Sequence, residues 1–185
     1  MYSKTGLVQG IITKREASIE EEKNIKMNNN QPDNIPAINT HFWFKENAVA
    51  AANFYVTVFP HSKVLHTSTM HANTSYQVEI VQFELAGQKY SAMSSANNFK
   101  LNESMSLVIH CKSQQEIDYY WSLLGDKGIE QSCGWLKDQF GISWQIIPSH
   151  LGQLLAANPN KQSHIMQCFL GMKKISIQAL QEAAQ

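Results

Sequence analysis

From residue 38 onward the apolar positions fall into short periodic runs, and these set the first expectation of structure. Residues 38–44 are an aromatic and β-branched strand run. Residues 48–59 then carry Ala48, Ala51, Ala52, Phe54, Tyr55, Val58 and Phe59 at helical spacing, up to Pro60, which stops a helix. Three strand-like runs follow at 63–70, 77–85 and 89–93, the last two joined by Ala86, Gly87 and Gln88 as a tight turn. The order is β, α, β, β, β, and it recurs. Residues 105–111 form a strand run, Ser113 and Glu116 have capping-box spacing, and Ile117, Tyr120, Trp121 and Leu124 carry an amphipathic helix that ends near Gly125 and Gly128. Short strands then fit 130–133, 134–138 and 143–148. Helical patterns return at 151–156, 161–172 and 176–184, the last with Ser176 as its N-cap. The pattern predicts an α+β fold: two βαβββ modules over residues 37–148, and a helical tail over 149–185 belonging to the same domain.

Residues 1–36 read differently. The run Glu20, Glu21, Glu22, Lys23 and the stretch Asn28, Asn29, Asn30, Gln31, Pro32, Asp33, Asn34 offer almost nothing to bury, so burial cannot offset the entropy of ordering them. A flexible extension is expected there. Residues 14–26 fit a short exposed helix, and Met27 fits equally well as a start of translation, so no function is placed in this segment.

Composition narrows the function classes. With 185 residues, 43% of them hydrophobic, the chain can bury one well-formed domain. Lys plus Arg equals Asp plus Glu at 15 each, so no overall field draws the protein to phosphate backbones or anionic lipid, and neither nucleic acid nor a membrane is expected as a partner. Arg15 is the only arginine, so beyond the first residues any anion has to be held by lysine, histidine or backbone N–H groups. Cys111, Cys133 and Cys168 form no C-x-x-C pair, and neither a secretory leader nor an apolar run long enough to span a bilayer is read in the sequence. These features lead to the expectation of a cytoplasmic protein with reduced thiols.

Three segments carry a resemblance: His41-Phe42-Trp43-Phe44, then Ala51-Ala52-Asn53-Phe54-Tyr55 with Val58-Phe59-Pro60, and above all residues 133–146, from Cys133 and Trp135 through Asp138 and Phe140 to Trp144 and Gln145. Together they resemble the PhnB-like, or demethylubiquinone-methyltransferase-like, branch of the vicinal oxygen chelate (glyoxalase-like) superfamily, over about residues 38–184. The resemblance implies paired βαβββ modules curving around a shared cleft, commonly completed by a second chain, so a homodimer is expected. It does not fix the chemistry, because members isomerise, cleave rings, add thiols to antibiotics or only sequester. No G-x-G-x-x-G fingerprint supports methyl transfer.

In metal-dependent relatives His or Glu side chains from the first and last strand of each module hold a divalent ion. Laid against that pattern, this sequence offers Thr40, then Ser91 or Ala92, then Ser106 and Gln145. Hydroxyls and an amide are poor ligands for Zn²⁺, Ni²⁺ or Fe²⁺, so no cofactor is predicted. His41 neighbours Thr40, and strand alternation sends the two to opposite faces, so a one-residue register shift would bring His41 into the cleft. A divalent metal held by His41 with Glu79 or Glu84 is therefore the alternative. His110 reads as a strand-end histidine, and Cys133 as a buried inert thiol or, with Lys137 close by, a reactive one.

The expected ligand cleft comprises Thr40, Phe42, Tyr90, Ser106, Trp135, Trp144 and Gln145, its aromatic rings stacking a flat or apolar small molecule and its polar groups orienting it. The same aromatic rings also fit a core or a dimer interface. Three functions stay open: a small-molecule-binding protein without the usual metal, a metal-dependent lyase, isomerase or dioxygenase of glyoxalase type, and a sequestering resistance protein. The identity of the ligand, and whether it is turned over, are not written in the sequence.

Overall fold

Strand alternation and helix caps decide where each segment goes. In the computed structural model, which describes residues 38–73, 76–95 and 99–185, the first module comprises β1 (Thr40–Phe44), α1 (Ala48–Val58), β2 (Lys63–Asn73), β3 (Tyr76–Leu85) and β4 (Gln88–Ser94). The second repeats the order with β5 (Leu107–Cys111), α2 (Gln114–Gly125), β6 (Ile129–Glu130), β7 (Trp135–Lys137) and β8 (Ser143–Pro148). Each module is a four-stranded sheet, ordered β1-β4-β3-β2 and β5-β8-β7-β6. In both, the first and last strands pair in parallel and the remaining pairs are antiparallel. The chain is thus an α+β fold of two βαβββ modules. The extension expected at 1–36 lies outside the described residues.

The caps work largely as the spacing predicts. Ser113 Oγ accepts the Glu116 N–H at 3.2 Å, and Ser176 Oγ accepts the Ala179 N–H at 3.2 Å. Glu116, however, turns its carboxylate to the N–H of Lys112 at 2.7 Å, one residue before the amide a capping box would use. The strands expected at 130–133 and 134–138 are shorter in the structure because the chain turns sharply between them. Cys133 and Gly134 both have positive φ, 63° and 76°. A Cβ on Gly134 would meet the Ile146 carbonyl oxygen at 2.6 Å, so only glycine lets this loop lie against β8.

Burial fixes which side of each sheet is covered. In β1 Phe42 and Phe44 are buried while His41 and Trp43 are exposed, and pairing carries the buried phase through Ala92 of β4 to Val81 and Phe83 of β3. Ala48, Ala51 and Ala52 of α1 are buried as well, small side chains suited to a close helix–sheet approach. In the second sheet Leu136, Trp144, Ile146 and Cys111 are buried and face α2, which buries Ile117, Trp121 and Leu124.

Asp138, in the loop between β7 and β8, joins the modules and is 4% exposed. Its carboxylate accepts from the Tyr55 hydroxyl of α1 and the Trp144 indole N–H, both at 2.7 Å, and from the Phe140 and Ile142 amides at 2.8 and 3.0 Å. Tyr55 packs edge-on to Trp144 and Phe140 at 5.7 and 5.8 Å between ring centres. The tail adds α3 (Leu151–Ala157), a 3-10 turn (Pro159–Lys161), α4 (Gln162–Gly171) and α5 (Ile177–Ala183), and sends Ile165, Ile175 and Leu180 into the same core. Gln114 of α2 clamps it, donating to the Ile175 carbonyl at 3.1 Å and accepting the Ile177 N–H at 2.9 Å. Among the described residues no helix is long and apolar enough to cross a membrane.

Two stability tests follow from this packing. The β3–β4 turn puts both Ala86 and Gly87 at positive φ, 47° and 86°, the two-residue hairpin geometry that favours Asn-Gly. An alanine there costs about 1–2 kcal/mol of backbone strain, so Ala86→Asn should raise the unfolding free energy by about 1 kcal/mol in urea denaturation. Burial raises the Asp138 carboxyl above the ordinary carboxylate range, a shift opposed by its hydrogen bonds from Trp144, Tyr55, Phe140 and Ile142. With the folded pKa above the unfolded one, this group's contribution is full below the unfolded pKa and declines as pH rises through the folded one. Asp138→Asn turns an amide donor toward other donors and should cost about 1–3 kcal/mol. The stability gap between wild type and variant should narrow as pH rises from below the ordinary carboxylate pKa of about 4 through the raised folded one, and a gap that widens would mean the carboxyl is not raised.

Candidate functional site

Each sheet has one face covered by its helix and one face with no helix on it. On the open face of the first sheet, pairing aligns His41, Ser91, Gln82 and His66 in a row across β1, β4, β3 and β2. A second row holds Trp43, Met93, Ile80 and Ser68. His41 Nδ1 lies 2.7 Å from Ser91 Oγ, which also accepts from the Asn39 amide at 2.9 Å. The Trp43 indole N–H donates to Ser95 Oγ at 2.9 Å, and its ring meets Phe99 edge-on at 5.1 Å.

The open face of the second sheet carries Trp135 and Lys137 of β7, Gln145 and Ile147 of β8, and Val108 and His110 of β5. Gln145 Nε2 donates to Ser106 Oγ at 2.7 Å. Lys137 Nζ sits 2.6 Å from Glu103, and its hydrogen bond, with help from Gln131, lowers the Glu103 carboxyl to about 2. The lysine is therefore matched by a carboxylate, and apart from Lys63, Glu84 and Lys89 at the far end of the first sheet, the polar groups named on the open faces are histidines, amides and hydroxyls.

Two hollows open near these groups. One of about 220 Å³ lies between the starts of β1, β5 and β8, with His41, Phe42, Leu101, Ser106, Ile142 and Ser143 in its lining. Another of about 390 Å³ is walled by Phe59, Tyr90, Tyr120 and Trp144, with Ser106 and His110 at its polar side. A larger depression of about 940 Å³ at the end of α1, lined by Pro60, Lys63, Glu84 and Tyr119 among others, is far more open and holds none of the paired polar groups.

The residues expected in one cleft are divided by the structure. Ser106 and Gln145 are bonded, and Trp135 is directly paired with Gln145 across β7 and β8. Thr40, Phe42 and Tyr90 lie instead in the helix-covered phase of the first sheet, where the Tyr90 ring stacks on Phe42 at 6.0 Å and on Phe83 at 5.6 Å. Burial raises the Tyr90 phenol above its ordinary value, and its hydroxyl donates to Gln88 at 3.0 Å. Trp144 is 2% exposed and belongs to the core, touching a hollow only through the 390 Å³ cavity it shares with Tyr90 and Ser106. The first-strand residue of the open face is His41, not Thr40, because Phe42 and Phe44 take the buried phase. On β4 it is Ser91, not Ala92.

The alternative metal set does not come together. Glu79 lies in the covered phase and accepts from Ser94 Oγ at 2.8 Å, and Glu84 stands toward the far end of β3, in strand register with Lys89 and Lys63. Among the described residues no three His, Cys, Asp or Glu side chains are placed to hold a metal ion. One imidazole with Ser91, Ser106 and Gln145 is a donor set that does not fit Zn²⁺, Ni²⁺ or Fe²⁺. Cys133 is half-buried with its thiol 3.6 Å from the Leu170 carbonyl, and the Lys137 charge that would have activated it is spent on Glu103. Sequence reading missed His66, Gln82 and Ser143. The alternation of Gln82 with the buried Val81 and Phe83 was the available signal for Gln82.

No curated protein sequence matches the chain. Among solved structures, a PhnB protein of Bacillus cereus, described as a 3-demethylubiquinone-9 3-methyltransferase, is 28% identical, with a TM-score of 0.56 over 61% of this chain and 99% of its own. A Pseudomonas aeruginosa protein, 14% identical with a TM-score of 0.52 over 60% of this chain and 96% of its own, shares the fold. The family profile described as 3-demethylubiquinone-9 3-methyltransferase matches residues 36–147, and on that match, with its paired βαβββ modules, the chain belongs to this PhnB-like family of the vicinal oxygen chelate fold.

Proposed function

We propose that the protein binds a small molecule against the open faces of its two sheets, as a homodimer and without a resident metal. The observation that carries this reading is the pair of polar contacts, His41 with Ser91 and Ser106 with Gln145, on or next to the first and last strands of the two modules. Those are the strands from which metal-dependent relatives present their ligands. Here the same places hold groups suited to hydrogen-bonding a ligand, with Trp43 and Trp135 beside them to stack it.

Dimerisation is supported by what the open faces leave to solvent: Trp43 is 37%, Met70 51%, Val108 43% and Ile129 63% exposed. Apolar side chains gathered on two helix-free faces favour a covering partner, and a second copy offers the same surface in a closed arrangement. A metal-dependent lyase, isomerase or dioxygenase is the second reading, favoured by His41 on the open face and opposed by the absence, among the described residues, of any three His, Cys, Asp or Glu side chains placed to hold a metal ion. Sequestration without turnover uses the same binding faces. The methyl transfer named in the family description has no glycine-rich G-x-G-x-x-G loop in this sequence to support it.

Native mass spectrometry of the protein purified without chelator or affinity metal tests the reading in one spectrum. The expected result is a dimer mass with no stoichiometric divalent ion. A monomer at micromolar concentration would overturn the dimer, and one divalent ion per chain would move the metal-dependent reading into first place.

A further inference from the structure

We propose that the 220 Å³ cavity between the starts of β1, β5 and β8 takes a small carboxylate bearing a short apolar group, held by the Ser143 and Ser106 hydroxyls and the His41 imidazole. This rests on the binding reading above and names the ligand class for one part of that surface.

Ser143 carries the argument. It is 2% exposed, and its Oγ has no hydrogen-bond partner among the described residues. Nearly all buried hydroxyls in folded proteins are satisfied, so an orphan on a residue that lines a cavity marks a place where another molecule can supply the partner. Ser106 offers a second donor: its oxygen already accepts from Gln145, which leaves the hydroxyl hydrogen free for the cavity.

His41 is the third, and its neighbours set which ring nitrogen is left for a ligand. The Asn39 amide that reaches Ser91 also reaches the Thr40 carbonyl at 3.2 Å, and a carbonyl only accepts, so the NH₂ end faces Ser91. Ser91 Oγ in turn lies 2.7 Å from His41 Nδ1. With Nδ1 engaged by Ser91, Nε2 is the ring nitrogen left to meet a ligand.

The charge and size of the cavity complete the ligand class. Lys100 is in its lining, and no carboxylate is among the described lining residues, while nearby Glu103 is held by Lys137. Two hydroxyls, an imidazole and a lysine side chain in one lining can supply four donors to the four lone-pair sites of a carboxylate. Phe42, Leu101, Met105, Leu107 and Ile142 give the cavity an apolar wall, and its volume is below the range of drug-sized sites, which limits the apolar group to a short one.

The test is an NMR titration of the full chain with benzoate, using benzyl alcohol as the uncharged control. Benzoate should shift the Ser106 and Ser143 amides and the His41 ring saturably, and benzyl alcohol should bind about tenfold more weakly. Ser143→Ala should weaken benzoate by about tenfold or more while raising the Tm of the free protein, because it removes an orphan hydroxyl. Ser106→Ala, which leaves Ser143 intact, should weaken benzoate as well and serves if the first variant does not fold. Unchanged affinity in both variants, equal binding of the alcohol, or a lowered Tm for Ser143→Ala would each overturn the proposal. Shifts confined to Trp135 and Ile147 would overturn the cavity site while leaving the open-face reading in place, and no saturable shift would overturn the carboxylate site independently of the dimer and metal result.

Discussion

The contact on which the rest of the structure depends is the buried carboxylate of Asp138 with its four donors. One donor comes from the first module, the Tyr55 hydroxyl on α1, and three from the second, the Trp144 indole and the amides of Phe140 and Ile142. A carboxylate taken from water loses several kcal/mol of solvation, and hydrogen bonds to a charged group return about 1.5–3 kcal/mol each, so a full donor set is what makes the burial tolerable. Tyr55 in turn is held protonated: burial raises its phenol well above the ordinary value, and the Asp138 charge raises it further, so it remains a donor. The aromatic rings around the pair, Phe59, Phe83, Phe140 and Trp144, then fill the space between the modules.

This arrangement fixes which surfaces remain available. Because the helix-covered sides of both sheets share one core, the opposite faces carry no helix and present His41, Ser91, Trp43, Gln145 and Trp135 outward or at a seam. The first and last strands of each module pair in parallel, so β1 with β4 and β5 with β8 set side by side residues that lie about 40 to 50 positions apart in sequence. The functional surface is therefore a consequence of core packing on the other side of the same strands.

That dependence explains what could and could not be read from the sequence. The element order, the Ser113 and Ser176 caps and the hairpin turn at Ala86-Gly87 are local, and local propensity was sufficient for them. Ser106 and Gln145 were named from the resemblance to the family's strand pattern, and the structure places them in hydrogen-bond contact. The phase of β1 was not legible, since Phe42 and Phe44 on one side and His41 and Trp43 on the other give both faces an aromatic character. Alternation says which residues share a face, but not which face is covered. Packing against the alanines of α1 decides that, and it is non-local. Placing Trp144 and Gln145 in one cleft conflicts with alternation along a single strand, and the structure resolves it by giving Trp144 to Asp138 and Gln145 to Ser106.

The same loop relates the most satisfied buried polar group to the orphaned one. Lys137 and Ser143 are paired across β7 and β8, and the five residues between them are closed at the base by Asp138 N–H to the Ile142 carbonyl at 2.9 Å and Ile142 N–H to the Asp138 carboxylate at 3.0 Å. Gly141, at φ 92°, makes the turn that this closure needs. With Ile142 pinned on both sides of its peptide unit, and Trp144 fixed by its own bond to Asp138, the backbone at Ser143 cannot shift to find its hydroxyl a partner in the core. The interaction that ties the two modules together thus also fixes the backbone that carries Ser143 in the cavity lining. Binding there would spend little on ordering, because the donor is already in place before a ligand arrives.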